Sequence, residues 1–144
     1  MPSLSLRLEL LLSALRRKRG EVFHNKRGAI NGYDPVAYFS EQKSIVGNKQ
    51  ISYSWKGAKW YFSSAGNKEN FASDPEKFMP QFGGFCAYGV HNGYKIHADP
   101  CCWTIFEERL YLNYNKRVQQ MWRADPQKYI AVAAENWERL KDRY

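Results

Sequence analysis

Cys86 lies in the run Gly83-Gly84-Phe85-Cys86-Ala87-Tyr88-Gly89-Val90, where two glycines and two rings could shape a pocket around a thiol. A free thiol becomes a nucleophile or a metal ligand when neighbouring positive charge or a helix N-terminus stabilises its thiolate. Otherwise it packs as a small hydrophobe. Downstream, Cys86, His91, His97 and Asp99 follow the spacing C-x4-H-x5-H-x-D. Thiolate and imidazole together suit zinc or copper, although this spacing matches no established metal signature. Cys101-Cys102 adds two thiols, which in an extended segment point to opposite faces. Aromatic side chains are dense nearby, and Tyr38 and Tyr88 could wall a small-ligand cleft with Cys86. No Ser-His-Asp order, phosphate loop or paired-carboxylate motif stands out, so no residue is assigned as catalytic. The competing enzymatic reading is a redox or nucleophilic thiol at Cys86.

These residues need a scaffold, and the turn dipeptides outline one. Asn31-Gly32 and Asp34-Pro35 mark a turn before Val36–Phe39. Ile51, Tyr53 and Trp55 alternate, as do Ala58, Trp60 and Phe62, with Lys56-Gly57 as a two-residue hairpin loop. Ser63-Ser64 offers a cap for a helix over 65–71, and Asp74-Pro75 a cap and first position for the next turn. Asn92-Gly93 predicts a second hairpin, joining the Cys86–Val90 run to Tyr94–His97, and Asp99-Pro100 predicts a chain break. Trp103–Phe106 and Arg109–Leu112 predict a further hairpin turning at Glu107-Glu108. Val118, Met121 and Trp122 make one short apolar helical face. Asp125-Pro126 opens a last helix, buried through Ile130, Ala133, Trp137 and Leu140. The expected fold is α+β, with small antiparallel hairpins covered by helices.

The chain has 144 residues, 44% hydrophobic and 16% aromatic, which suits one domain over residues 22–144 with a core of rings. The net charge of +8 is uneven: residues 1–28 carry seven Lys/Arg against two Glu. Residues 1–21 read as an arm. Leu4, Leu8, Leu11, Leu12 and Leu15 share one helical face, and Arg16-Arg17-Lys18-Arg19 follows. A secretory signal has the reverse order. The arm therefore reads as an amphipathic helix suited to an anionic membrane surface, or to docking on the domain, and it favours a cytoplasmic or membrane-peripheral location. A nucleic-acid partner is disfavoured, because the basic run is short and has no interleaved aromatics. Three cysteines do not make a disulfide scaffold, and reduced thiols are expected.

Taken together, GYDPVAYF (32–39), WYFSSAGNKENF (60–71), DPEKF (74–78), GGFCAYGV (83–90) and WTIFEERLYLNYN (103–115) resemble the long form of YHS-domain proteins, over roughly residues 22–140. The resemblance implies a small α+β unit related to treble-clef-like metal modules. It also implies metal binding or sensing, and in many relatives export. In metal-holding members it places one cysteine just after the Asp-Pro-Val element and two more after the Tyr-Phe of the hairpin. This chain has Ala37, Ser63 and Asn67 there. Alanine cannot ligate, and serine and asparagine are poor ligands for a soft metal. The combined expectation is a non-enzymatic module for a small ligand, or for a zinc or copper ion, centred near Cys86. The scaffold would be kept and the inherited ion cage lost, with Ala37, Ser63 and Asn67 still close together.

Overall fold

A computed structural model describes residues 5–8 and 20–143. Of the N-terminal arm, residues 5–8 are helical; the rest of the expected arm helix before Gly20 lies outside the described residues. Three two-stranded antiparallel sheets and a set of short helices make up the remainder. In chain order they are β1 (His24–Asn25), β2 (Gly28–Ala29), α1 (Ala37–Ser40), β3 (Asn48–Trp55) and β4 (Ala58–Phe62). Then come α2 (Ala65–Ser73), α3 (Pro75–Phe78), α4 (Ala87–His91), β5 (Asp99–Phe106), β6 (Arg109–Asn113), α5 (Lys116–Arg123) and α6 (Pro126–Leu140). The α+β expectation holds.

The two large hairpins are built alike. Trp55 pairs with Ala58 and Phe106 with Arg109, so each turns on two residues, Lys56-Gly57 and Glu107-Glu108. All four of these have positive φ, the conformation that matches the right-handed strand twist. Each hairpin also shifts register, between Asn48 and Ser52 in β3 and between Asp99 and Trp103 in β5.

Side-chain alternation along β6 divides the interior. Leu110 and Leu112 enter a core with Val36, Tyr38, Trp60, Phe62 and Phe71, whereas Tyr111 enters a second one with Val90, Trp122, Ala133 and Leu140. In the first core, Phe71 packs against Trp60, Trp55, Phe62 and Tyr53, with ring centres 5.0–6.1 Å apart. Burying each such ring stabilises the fold by about 1.5–3 kcal/mol. Gly83 joins the cores to the chain's first turn. Its φ is +65, and a Cβ there would stand 1.8 Å from the Glu21 carbonyl oxygen, so only glycine fits.

Four local expectations change. Asn92-Gly93 is not a hairpin: Ala87–His91 is helical, and Asn92 closes α4 through its N–H to the Tyr88 carbonyl. Asp99-Pro100 does not break the chain but opens β5. Asp74 precedes α3 without a side-chain capping bond, whereas Ser64 does cap α2 by accepting from the Asn67 N–H. Met121 is 41% exposed, and the buried side of α5 is Trp122 with Gln119. On α6, Ala133 and Leu140 are buried and Ile130 and Trp137 pack beside them, as the spacing predicts.

Candidate functional site

Asp34 is fully buried and forms the most densely bonded point of the fold. One carboxylate oxygen accepts from the backbone N–H of Val36 at 2.8 Å and of Ala37 at 3.3 Å, closing an Asx turn into α1. The other accepts from the Ser63 N–H and the Ser63 hydroxyl, both at 2.7 Å, and from Asn67 Nδ2 at 2.8 Å. Ala37, Ser63 and Asn67 are thus together, as the retained-scaffold expectation requires, and they meet on a carboxylate. An ion cage needs lone pairs aimed inward. Here every group converging on the centre presents a proton, and the anion supplies the charge. These residues do not fit a bound cation.

The second proposed ligand set is dispersed. Cys86 is 1% exposed, and its sulfur accepts from the Tyr114 N–H at 3.2 Å, with Asn113 Nδ2 at 3.8 Å. His91 ends α4 and packs edge-on against Tyr129, ring centres 4.8 Å apart. His97 lies against Tyr114 and Phe23. Asp99 accepts from the Cys101 N–H at 2.9 Å. Among the described residues, no three His, Cys, Asp or Glu side chains form a group that could hold a metal ion. The hairpin thought to gather them is a helix, and this sends His91 and His97 to different neighbours.

Of the ligand wall proposed around Cys86, Tyr38 shares the first core with the cysteine and Tyr88 packs against that core. The Tyr38 hydroxyl donates to the Pro100 carbonyl at 2.7 Å, and its ring rests 5.4 Å from Trp103. Burial holds that phenol protonated well above the ordinary tyrosine range. Tyr88 packs against His91 and Tyr129. With its thiol closed off from solvent, Cys86 is poorly placed to attack a substrate. All three cysteines are free. Cys102 is buried, which pushes its thiol up, while Cys101 is exposed with the Tyr33 hydroxyl at 3.6 Å and the Ser44 hydroxyl at 3.5 Å. The Cys101 contact, followed by burial, raises the Tyr33 phenol.

The open space lies elsewhere. A cleft of about 1100 Å³ runs along a seam, with Val36, Phe39, Asp74, Lys77 and Phe78 on one wall and Trp103, Ile105, Glu108, Arg109 and Arg123 on the other. Phe39 and Phe78 meet edge to face at 5.5 Å. Arg123 is held at the rim by the Thr104 hydroxyl (2.8 Å) and the Trp103 carbonyl (2.9 Å).

A family model of the YHS domain matches residues 36–82. This is a YHS domain-containing protein. No curated protein and no solved structure matches the chain. The matched YHS segment runs from α1 through β3, β4, α2 and α3. It contains Ala37, Ser63 and Asn67 but begins just after Asp34 and ends before Cys86. One cleft wall, from Val36 to Phe78, belongs to the YHS segment; the other belongs to the chain that follows.

Sequence reasoning missed Asp34 as a centre and missed the cleft. Asp34-Pro35 reads as a turn, and the Asx bonds to Val36 and Ala37 were legible in that. The bonds to Ser63 and Asn67 cross about thirty residues and have no local signature.

Proposed function

We propose that this YHS protein is a small-ligand binding module whose ligand sits in the seam cleft rather than at Cys86. The carrying observation is the combination of an aromatic floor, formed by Phe39, Phe78 and Trp103, with cationic groups at its edge. Concave sites that join apolar walls to a few placed polar groups are where small ligands bind. Arg109 and Lys77 have no carboxylate within ion-pairing distance among the described residues, whereas Glu76 is engaged by Lys56 at 3.4 Å. A flat apolar ring bearing an anionic group matches this arrangement. The ring would cover Trp103 and Phe78, and its charge would meet a guanidinium, a strong hydrogen-bond donor for planar anions. Nothing in this reading needs a metal or a reactive thiol.

Titration with anilinonaphthalene sulfonate, a ring-bearing anion, tests it. Saturable binding of one probe per chain is expected, with affinity falling roughly tenfold in Arg109→Gln and further in Trp103→Ala. Near-ultraviolet circular dichroism should confirm that both variants keep their tertiary packing. Equal binding by the parent chain and by Arg109→Gln, whose side chain is exposed, would defeat the reading even if Trp103→Ala failed to fold.

A further inference from the structure

Arg123 ends α5 and lines the seam cleft, where hydrogen bonds hold its guanidinium in place. Its Nε donates to the Thr104 hydroxyl at 2.8 Å and its Nη2 to the Trp103 carbonyl at 2.9 Å. Nε and Nη2 form one side of the planar group, so that side is spent on the cleft wall. The end of the group is left over: both protons of Nη1 and the second proton of Nη2. Among the described residues, no carboxylate lies within ion-pairing distance of Arg123. A guanidinium with a fixed plane and a spare pair of nitrogens is a fork that matches a carboxylate.

The neighbouring aromatic surface is fixed by the same bonds. The Trp103 carbonyl also accepts from Gln119 Nε2 at 2.7 Å, and the Trp103 ring lies 5.4 Å from that of Tyr38. One peptide carbonyl thus anchors both a ring and a cation. Groups already ordered in the free protein have less entropy to lose on binding. Asp74 and Glu108 line the cleft as well, and among the described residues neither has a cation within ion-pairing distance. Glu76 is engaged by Lys56. A second negative charge on a ligand would therefore share the cleft with two carboxylates.

We infer, resting on the small-ligand reading of the cleft, that its ligand is an aromatic monocarboxylate and that Arg123 is the residue that selects it. The ring covers Trp103, and the carboxylate takes the spare end of the guanidinium. A neutral ring leaves that end unused. A phosphate monoester brings a second charge towards Asp74 and Glu108, and its tetrahedral oxygens fit the planar fork less well.

Calorimetric titration of the full chain with three naphthalene probes tests this. At about pH 8 naphthoate carries one charge, naphthamide none, and naphthyl phosphate close to two. Naphthoate is expected to bind roughly tenfold more tightly than either of the others. Arg123→Lys keeps the charge but loses the fork, and should weaken naphthoate roughly tenfold while leaving naphthamide unchanged. Thr104→Val frees Nε and should act in the same direction, less strongly. Equal affinity for naphthoate and naphthamide, tighter binding of the phosphate, or unaltered naphthoate binding in Arg123→Lys would overturn the inference. So would an equal loss for naphthoate and naphthamide in that variant, since Arg123 would then only brace Trp103. Any of these results beside anilinonaphthalene sulfonate binding that falls in Arg109→Gln would remove the carboxylate assignment and leave the cleft reading standing. Failure of all four probes to bind would remove both.

Discussion

Asp34 and Asn113 are both fully buried polar side chains, and the protein treats them in opposite ways. Asp34 gathers five donors from three stretches of chain, so its charge is answered on every side. Asn113 contacts Cys86 through one long approach of Nδ2 to sulfur, and its Oδ1 has no hydrogen-bond partner among the described residues. The difference separates a polar group that organises a fold from one that the fold carries at a cost. The first stands at the threshold of the YHS segment, bonded to Ala37, Ser63 and Asn67 within it. The second stands outside that segment, beside the one cysteine that sequence motifs single out.

Removing the first should have the larger effect. Asp34→Ala strands five donors, of which the Val36 and Ala37 N–H groups are buried, and each buried donor left unpaired costs about 1–3 kcal/mol. Urea denaturation should show this as a lower midpoint with an unchanged slope. A cost below about 1 kcal/mol would mean that water replaces the carboxylate, and the contrast would collapse. Added zinc should not restore Asp34→Ala, because the orphaned groups are donors.

The second substitution should differ in sign. Asn113→Leu removes an unpartnered oxygen whose burial costs about 1–3 kcal/mol and keeps a similar volume, so the change should be neutral or stabilising. The same urea series measures it. A loss of several kcal/mol would show that the Asn113–Cys86 pair is an ordering contact after all.

Lys95 sharpens the comparison with the smallest effect, because it inverts Asp34: a cation among the carbonyl acceptors of Gly20, Lys141 and Arg143. Burial lowers its ammonium from 10.5 to about 8. The unfolded chain then holds this proton more tightly than the fold does, so stability should rise as pH goes from about 8 towards 10.5 and be lost again as pH falls. Above 10, Tyr38 opposes the rise, since burial keeps its phenol protonated in the fold while the unfolded chain ionises. Thermal melts of the parent chain and of Lys95→Met across pH 7.5–9.5 should differ in slope, the rise being absent in the variant. Parallel curves would show that the three carbonyls hold the ammonium as well as water does.

Much of the scaffold was legible in the chain because its signals are local. Alternating rings around Lys56-Gly57, the Ser64 cap and the Asp125-Pro126 start each depend on neighbours a few residues away. The Asn92-Gly93 signal misled because glycine with positive φ also suits the residue after a helix. Gly93 has φ +93 and follows the Asn92 cap of α4, where Asn136 Nδ2 also bonds the Val90 and His91 carbonyls. A dipeptide reports that the chain turns, not what precedes the turn.

The sequence by itself determined the α+β class, the two large hairpins, the YHS motifs and the absence of thiols at Ala37, Ser63 and Asn67, since each depends on residue type and short-range order. Only the tertiary structure decided that those three positions close on Asp34, that Cys86 is buried with its sulfur on the Tyr114 N–H, and that the open space lies between Trp103 and Phe78. Those outcomes require partners far apart along the chain to meet, and packing, rather than local propensity, settles which of them do.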